Sequence, residues 1–167
     1  MNPILERKSV RKFTDRPVAK ELLTEIVKGG MQAPSAHNTQ PWEFLIIQER
    51  RSLDALAEVS PYAGPLKTAA AAIIVLGNTR TAEKTLPWLP QDLSACTENI
   101  LLEIQRLGLG GVWLGHYPDE ERIHKIRAYF HLPSHLVPFS VVAVGYEDGE
   151  AKARDNYKPQ KIHFESY

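Results

Sequence analysis

Residues 91–115 read QDLSACTENILLEIQRLGLGGVWLG. Leu93, Cys96, Ile100, Leu101, Ile104 and Leu107 recur at the three-and-four spacing of one helical face, so a helix is predicted over 91–107 with Gly108 as its terminator. A strand is predicted directly after it, over 111–116. Gly108, Gly110 and Gly111 invite a dinucleotide-binding reading, but that fingerprint runs strand, glycines, helix, so that phosphate meets a helix N-terminus. Here the order is reversed, which argues against it. Two readings of the glycines remain: a helix end with close backbone packing, or exposed backbone N–H groups bordering a flat ligand. Leu102 lies off the main stripe, so the helix is apolar on more than one side and asks for cover beyond a single core.

Outward from this stretch, apolar runs predict buried strands over 69–77, 42–48 and 137–146. Leu53, Leu56 and Val59 mark a short amphipathic helix. Leu22, Leu23, Ile26 and Val27 mark another, with Gly29-Gly30 as its stop signal, and a capped helix is predicted over 119–130. Asn2-Pro3 starts a short helix over 4–8. These elements do not alternate as repeated βαβ units, so the expected fold is a single α+β layered domain over 1–167. Its tail, 147–167, is polar with spaced aromatics at Tyr157, Phe164 and Tyr167. Such a segment is either disordered or packed on something else, in an oligomer the partner subunit.

The 167 residues suit one domain, and 43% hydrophobic with 24% charged residues is an ordinary globular balance. Twenty basic against twenty acidic residues give net charge +0, which argues against a nucleic-acid binder working by bulk charge. The longest apolar run, 69–76, is far short of a membrane span, and the N-terminus offers no signal-peptide core, so a cytoplasmic, membrane-free protein is expected. Cys96 is the only cysteine and sits on the helical stripe, so it reads as core. His124, His131 and His135 read as surface histidines, because Pro133 interrupts any shared face. Ser9 to Lys12 fits S-x-x-K without the companion motifs of a serine hydrolase.

Two stretches have both a bland and a chemical reading. ERKSVRKF, 6–13, is a solvated charged face, or Arg7, Lys8 and Ser9 at a helix exit gathering on a phosphate or an anionic ring. APSAHNTQPWEF, 33–44, is a helix-to-strand connection, or a loop presenting Ser35, Asn38 and Gln40 above Trp42.

Taken in order, these two stretches, the central block and VVAVGYE at 141–147 resemble the FMN-dependent nitroreductase family, in its short form of bacterial or archaeal type. The resemblance covers nearly the whole chain. It implies a layered α+β fold with a mixed, mostly antiparallel central sheet flanked by helices, an intertwined homodimer, and FMN at the subunit interface. It further implies NAD(P)H as co-substrate and a ping-pong, two-electron reduction of small-molecule acceptors such as nitroaromatics or quinones. The flavin would carry the chemistry, with no catalytic side chain and no metal.

By this resemblance Arg7, Lys8, Ser9 and Arg11 match the family's N-terminal FMN motif, with Arg7 and Ser9 reaching the phosphate and ribityl chain and Lys8 the pyrimidine edge. Pro34, Ser35, Ala36 and Asn38 belong to a loop supplied to the other subunit's flavin. Val112, Trp113, Leu114 and Gly115 border the ring, with the Leu114 N–H as donor to the hydride-accepting nitrogen. Lys158 and Lys161 are the candidates for the C-terminal phosphate contact, and Lys67 is a further ribityl candidate. The connection over 78–89 is shorter than the helical excursion that covers the active site in many relatives. A flavin-binding storage or sensor protein without turnover is the alternative.

Overall fold

The structure is a computed structural model and describes residues 2–167. Its centre is a four-stranded sheet in the order β1 (Trp42–Ile47), β2 (Ala71–Asn78), β4 (Leu136–Gly145), β3 (Gly110–Gly115). Every pairing between these strands is antiparallel. The sheet is therefore not mixed as expected; the parallel element is an isolated bridge from Ser9 to Gly111, through which the N-terminal segment lies along the outer edge of β3.

Strand alternation sorts the sheet's residues into two cores. On one face Ala71, Ile73, Val75, Val142 and Val144 pack with α2 (Lys20–Met31) and α4 (Leu89–Arg106) through Leu23, Ile26, Leu93, Cys96, Ile100 and Ile104. On the other, Ala72, Ile74, Leu76, Val141 and Ala143 pack with α3 (Arg50–Ala57) and α5 (Glu120–Tyr129) through Leu53, Leu56 and Ile126. Being buried on both faces, β2 and β4 read as continuous apolar runs. β1 was also expected to be buried, but it is an edge strand whose middle residues are partly exposed. In β4 the register shifts between Ser140 and Pro138, a bulge that accommodates a proline with no N–H to give the ladder.

Gly29-Gly30 does not end α2, which runs on to Met31. A Cβ on Gly30 would lie 2.7 Å from Cγ1 of Ile100, so the glycine is where α2 closes onto α4. α1 is shorter than expected, Pro3–Glu6, with the Asn2 side chain accepting from the Ile4 N–H. α5 is capped as the sequence implies, by Asp119 accepting from the Arg122 N–H. Cys96 is wholly buried and burial pushes its thiol up to about 12, so it stays protonated as a core residue. No helix among the described residues is long and apolar enough to cross a membrane. From Lys152 onward every residue of the tail is exposed, including Tyr157, Ile162, Phe164 and Tyr167.

Candidate functional site

The N-terminal segment is held in place by β3. The Val10 N–H donates to the Gly111 carbonyl at 3.0 Å, and Val10 itself is buried. That approach requires glycine at 110, where a Cβ would stand 2.8 Å from Cγ1 of Val10. Further on, the Thr14 N–H donates to the Tyr146 carbonyl and the Asp148 N–H to that of Lys12, with a bridge between Phe13 and Glu147. The segment from Ser9 to Thr14 thus runs from the edge of β3 to the exit of β4, with Arg7, Lys8 and Arg11 carried alongside.

A cavity of about 870 Å3 opens there, lined by Arg7, Lys8, Ser9, Arg11 and by residues 151–157 of the tail. Lys152 and Arg154 line it as well, so five cations face one carboxylate, Asp155. Two of the five are steadied from outside the lining. Arg7 Nε lies 3.2 Å from Glu98 of α4, and Lys8 Nζ lies 2.7 Å from Glu147. Five guanidinium and ammonium groups, with the Ser9 hydroxyl, form a donor set suited to a phosphate and a polyhydroxyl chain.

Lys158 and Lys161 are not among the residues around this cavity; they flank and end the short helical turn Pro159–Lys161 and are exposed. Lys152 and Arg154 stand there instead. Lys67 is elsewhere too, on a separate hollow of about 440 Å3 beside Phe13 and Arg50, 3.3 Å from Glu58.

Beside the segment, β3 leaves part of its edge free. The Gly111 carbonyl faces outward to Val10, and the Gly115 carbonyl faces outward to Nη1 of Arg122 at 3.2 Å. Backbone groups alternate along a strand, so 111, 113 and 115 point to the open edge while 112 and 114 pair with β4. The Leu114 N–H is therefore engaged in the ladder, and the outward donors are those of Trp113 and Gly115. Gly115 is exposed, with open space where a Cβ would be. The side chains of Val112 and Leu114 are buried, and Trp113 packs against Phe139 with ring centroids 5.9 Å apart.

His116 follows, buried, with Nδ1 at 2.9 Å from the Leu114 carbonyl. Since a carbonyl only accepts, Nδ1 carries the proton, leaving the Nε2 lone pair without a partner among the described residues. Burial pushes the His116 pKa below its ordinary value, and the nearby Arg122 acts in the same direction.

The loop with Pro34, Ser35, Ala36 and Asn38 does not touch this cavity within its own chain. It is sharply folded: His37, Asn38 and Gln40 all have φ near +50°, a region that costs a residue with a side chain roughly 1–2 kcal/mol. Local bonds hold it. Ser35 Oγ accepts from the Gln40 N–H at 2.9 Å, Gln40 Nε2 donates to Asn38 Oδ1 at 3.0 Å, and Asp92 Oδ1, in the first turn of α4, accepts from the Ala36 N–H at 3.0 Å. Backbone strain is thus concentrated at three positions of this loop, which the bonds from Ser35, Gln40 and Asp92 hold in place.

The Nitroreductase family profile matches residues 4–65 and 59–146. The chain belongs to the Nitroreductase family. A protein of Methanothermobacter thermautotrophicus, provisionally named NADH dehydrogenase/NAD(P)H nitroreductase, is 40% identical over 167 residues, spanning 100% of this chain and 87% of that one. The crystal structure of a provisionally named NADH oxidase from Clostridium acetobutylicum superimposes with TM-score 0.96 at 41% identity, covering 99% of both chains. A provisionally named nitroreductase from Desulfovibrio desulfuricans, solved in complex with FMN, superimposes with TM-score 0.81 at 28% identity, covering 99% of this chain and 95% of that one.

Proposed function

We propose that this member of the Nitroreductase family is an FMN-dependent oxidoreductase that uses NAD(P)H to reduce nitroaromatic, quinone or similar electrophilic acceptors in a ping-pong cycle, acting as a homodimer. The observation that carries the reading is the cavity of Arg7, Lys8, Ser9, Arg11, Lys152 and Arg154 beside the open edge of β3. Bound there, FMN would supply the hydride-accepting and electron-donating chemistry that the side chains lack.

The chain's residues bind and orient. Arg7, Ser9, Arg11, Lys152 and Arg154 hold the phosphate and ribityl chain. Lys8 faces the pyrimidine edge, where a cation about 4 Å from a unit negative charge is worth about 1 kcal/mol in water and about 4 kcal/mol at a protein-surface dielectric. The outward N–H of Gly115 is the donor to the hydride-accepting ring nitrogen, and the absence of a side chain there lets the ring approach. The loop of Pro34, Ser35, Ala36 and Asn38 reaches the flavin of a second copy, which accounts for its distance from the cavity of its own chain. Trp88, half exposed at the start of α4, and the His37 loop of a second copy wall the acceptor slot.

The experiment is an anaerobic absorbance titration of the purified protein. A yellow protein that NADH or NADPH bleaches and a quinone recolours supports the reading; a protein that holds FMN but resists both overturns the activity. Arg7→Ala should weaken FMN binding more than Lys12→Ala, because Lys12 is exposed and paired with Asp148 outside the cavity. Equal dissociation constants would remove Arg7 from the site.

The short connection between β2 and α4 leaves the slot few fixed polar groups. Catalytic efficiencies across a panel of quinones and nitroaromatics should therefore follow reduction potential more closely than shape, since apolar contacts discriminate by only about 1–3 kcal/mol per methylene. Strong selection between close analogues of equal potential would contradict this.

A further inference from the structure

We propose that Glu147 is a positioning residue that sets the preference of the site for reduced against oxidised FMN, acting through Lys8; the inference rests on the FMN reading above. The two oxygens of its carboxylate have different partners. Oε2 lies 2.7 Å from Lys8 Nζ, and Oε1 accepts from the Ala151 N–H. The backbone around it is fixed by the bridge to Phe13 and by the bonds from Thr14 and Asp148, so the carboxylate is held beside the lysine. Both side chains are only about a quarter exposed, 24% and 22%, and are shielded from much of the solvent that would screen an exposed pair.

The other charges lining the cavity are Arg7, Arg11, Lys152, Arg154 and Asp155, and the other carboxylate close by, Glu98, is paired with Arg7. Glu147 is thus the acid that faces Lys8 directly. Reduced FMN carries its extra negative charge along the pyrimidine edge. A lysine already paired with a carboxylate offers that charge a much smaller field than a free one. Glu147 therefore restrains the stabilisation of the reduced form and keeps it a willing electron donor. Its other oxygen anchors Ala151, the residue from which the chain passes to Lys152 and Arg154.

Glu147→Gln separates the two roles, since the amide oxygen can still accept from Ala151 while the charge is gone. Dissociation constants for oxidised FMN in air and for dithionite-reduced FMN under anaerobic conditions are measured for the native protein, E147Q, K8Q and the double variant. In E147Q the ratio of reduced to oxidised dissociation constants should fall about tenfold. In K8Q it should rise, and in the double variant it should return to within about threefold of native. A purely structural role would weaken both forms together and leave the ratio unchanged, so an E147Q ratio within twofold of native overturns the assignment. Native protein that binds neither form overturns the FMN reading itself, a result distinct from binding with an unmoved ratio.

Discussion

Arg154 lines the same cavity as Arg7, whereas Lys158, four residues on, does not. Arg154→Ala should weaken FMN binding about tenfold or more, as expected for a lost charge-assisted contact, while Lys158→Ala leaves it unchanged; fluorescence titration of FMN measures both. The N-terminal residues that line the cavity stand out in the sequence because four polar residues crowd into one short stretch, but the tail has no periodicity to say which of its cations lines it as well. Glu147 was not singled out, because nothing in its spacing says that the chain folds back to bring it onto Lys8. His116 is a second residue that spacing did not single out. Its folded pKa is depressed by burial, so the unfolded chain takes up a proton that the folded chain refuses, and stability falls as pH drops below 6.5 toward the folded value. Urea unfolding between pH 7.5 and 5 should show this loss, and His116→Gln, which can still donate to the Leu114 carbonyl, should flatten the slope.

The helices and strands follow from hydrophobic period, and the two-sided burial of β2 and β4 was written in their unbroken apolar runs. What could not be read was which element each one meets. Gly30 looks like a stop signal in one dimension and is a contact with Ile100 in three. Likewise the outward direction of the Gly115 N–H, against the inward one of Leu114, depends on β4 lying on one side of β3 and Val10 on the other. The strained loop after α2 depends on a distant element in the same way, through Asp92. Asp92→Ala removes the acceptor for the Ala36 N–H and should cost about 1–3 kcal/mol in urea unfolding, with a raised KM for the acceptor if the loop borders the slot. Asp92→Asn, which keeps an acceptor oxygen, should restore most of both.

At the scale of the whole molecule, the tail and α1 leave Ile4, Leu5, Tyr157, Ile162 and Phe164 in solvent, an apolar surface that a monomer gains nothing by exposing. A homodimer in which the tails cross would cover it, with an interface of more than about 2,000 Å2. Sedimentation should find a dimer at all working concentrations, and removal of residues 152–167 should abolish both dimer and FMN binding; a folded, FMN-loaded monomer would refute the arrangement. β3, finally, is a sheet edge that the N-terminal segment pairs at Gly111, while the backbone groups of Trp113 and Gly115 point outward, the Gly115 carbonyl to Arg122. Such an edge is also a template for a foreign strand, the usual start of edge-to-edge aggregation. The outward groups proposed to receive the flavin are thus also a hazard, and the brevity of β3, six residues from Gly110 to Gly115, limits how far a misplaced strand could extend along it.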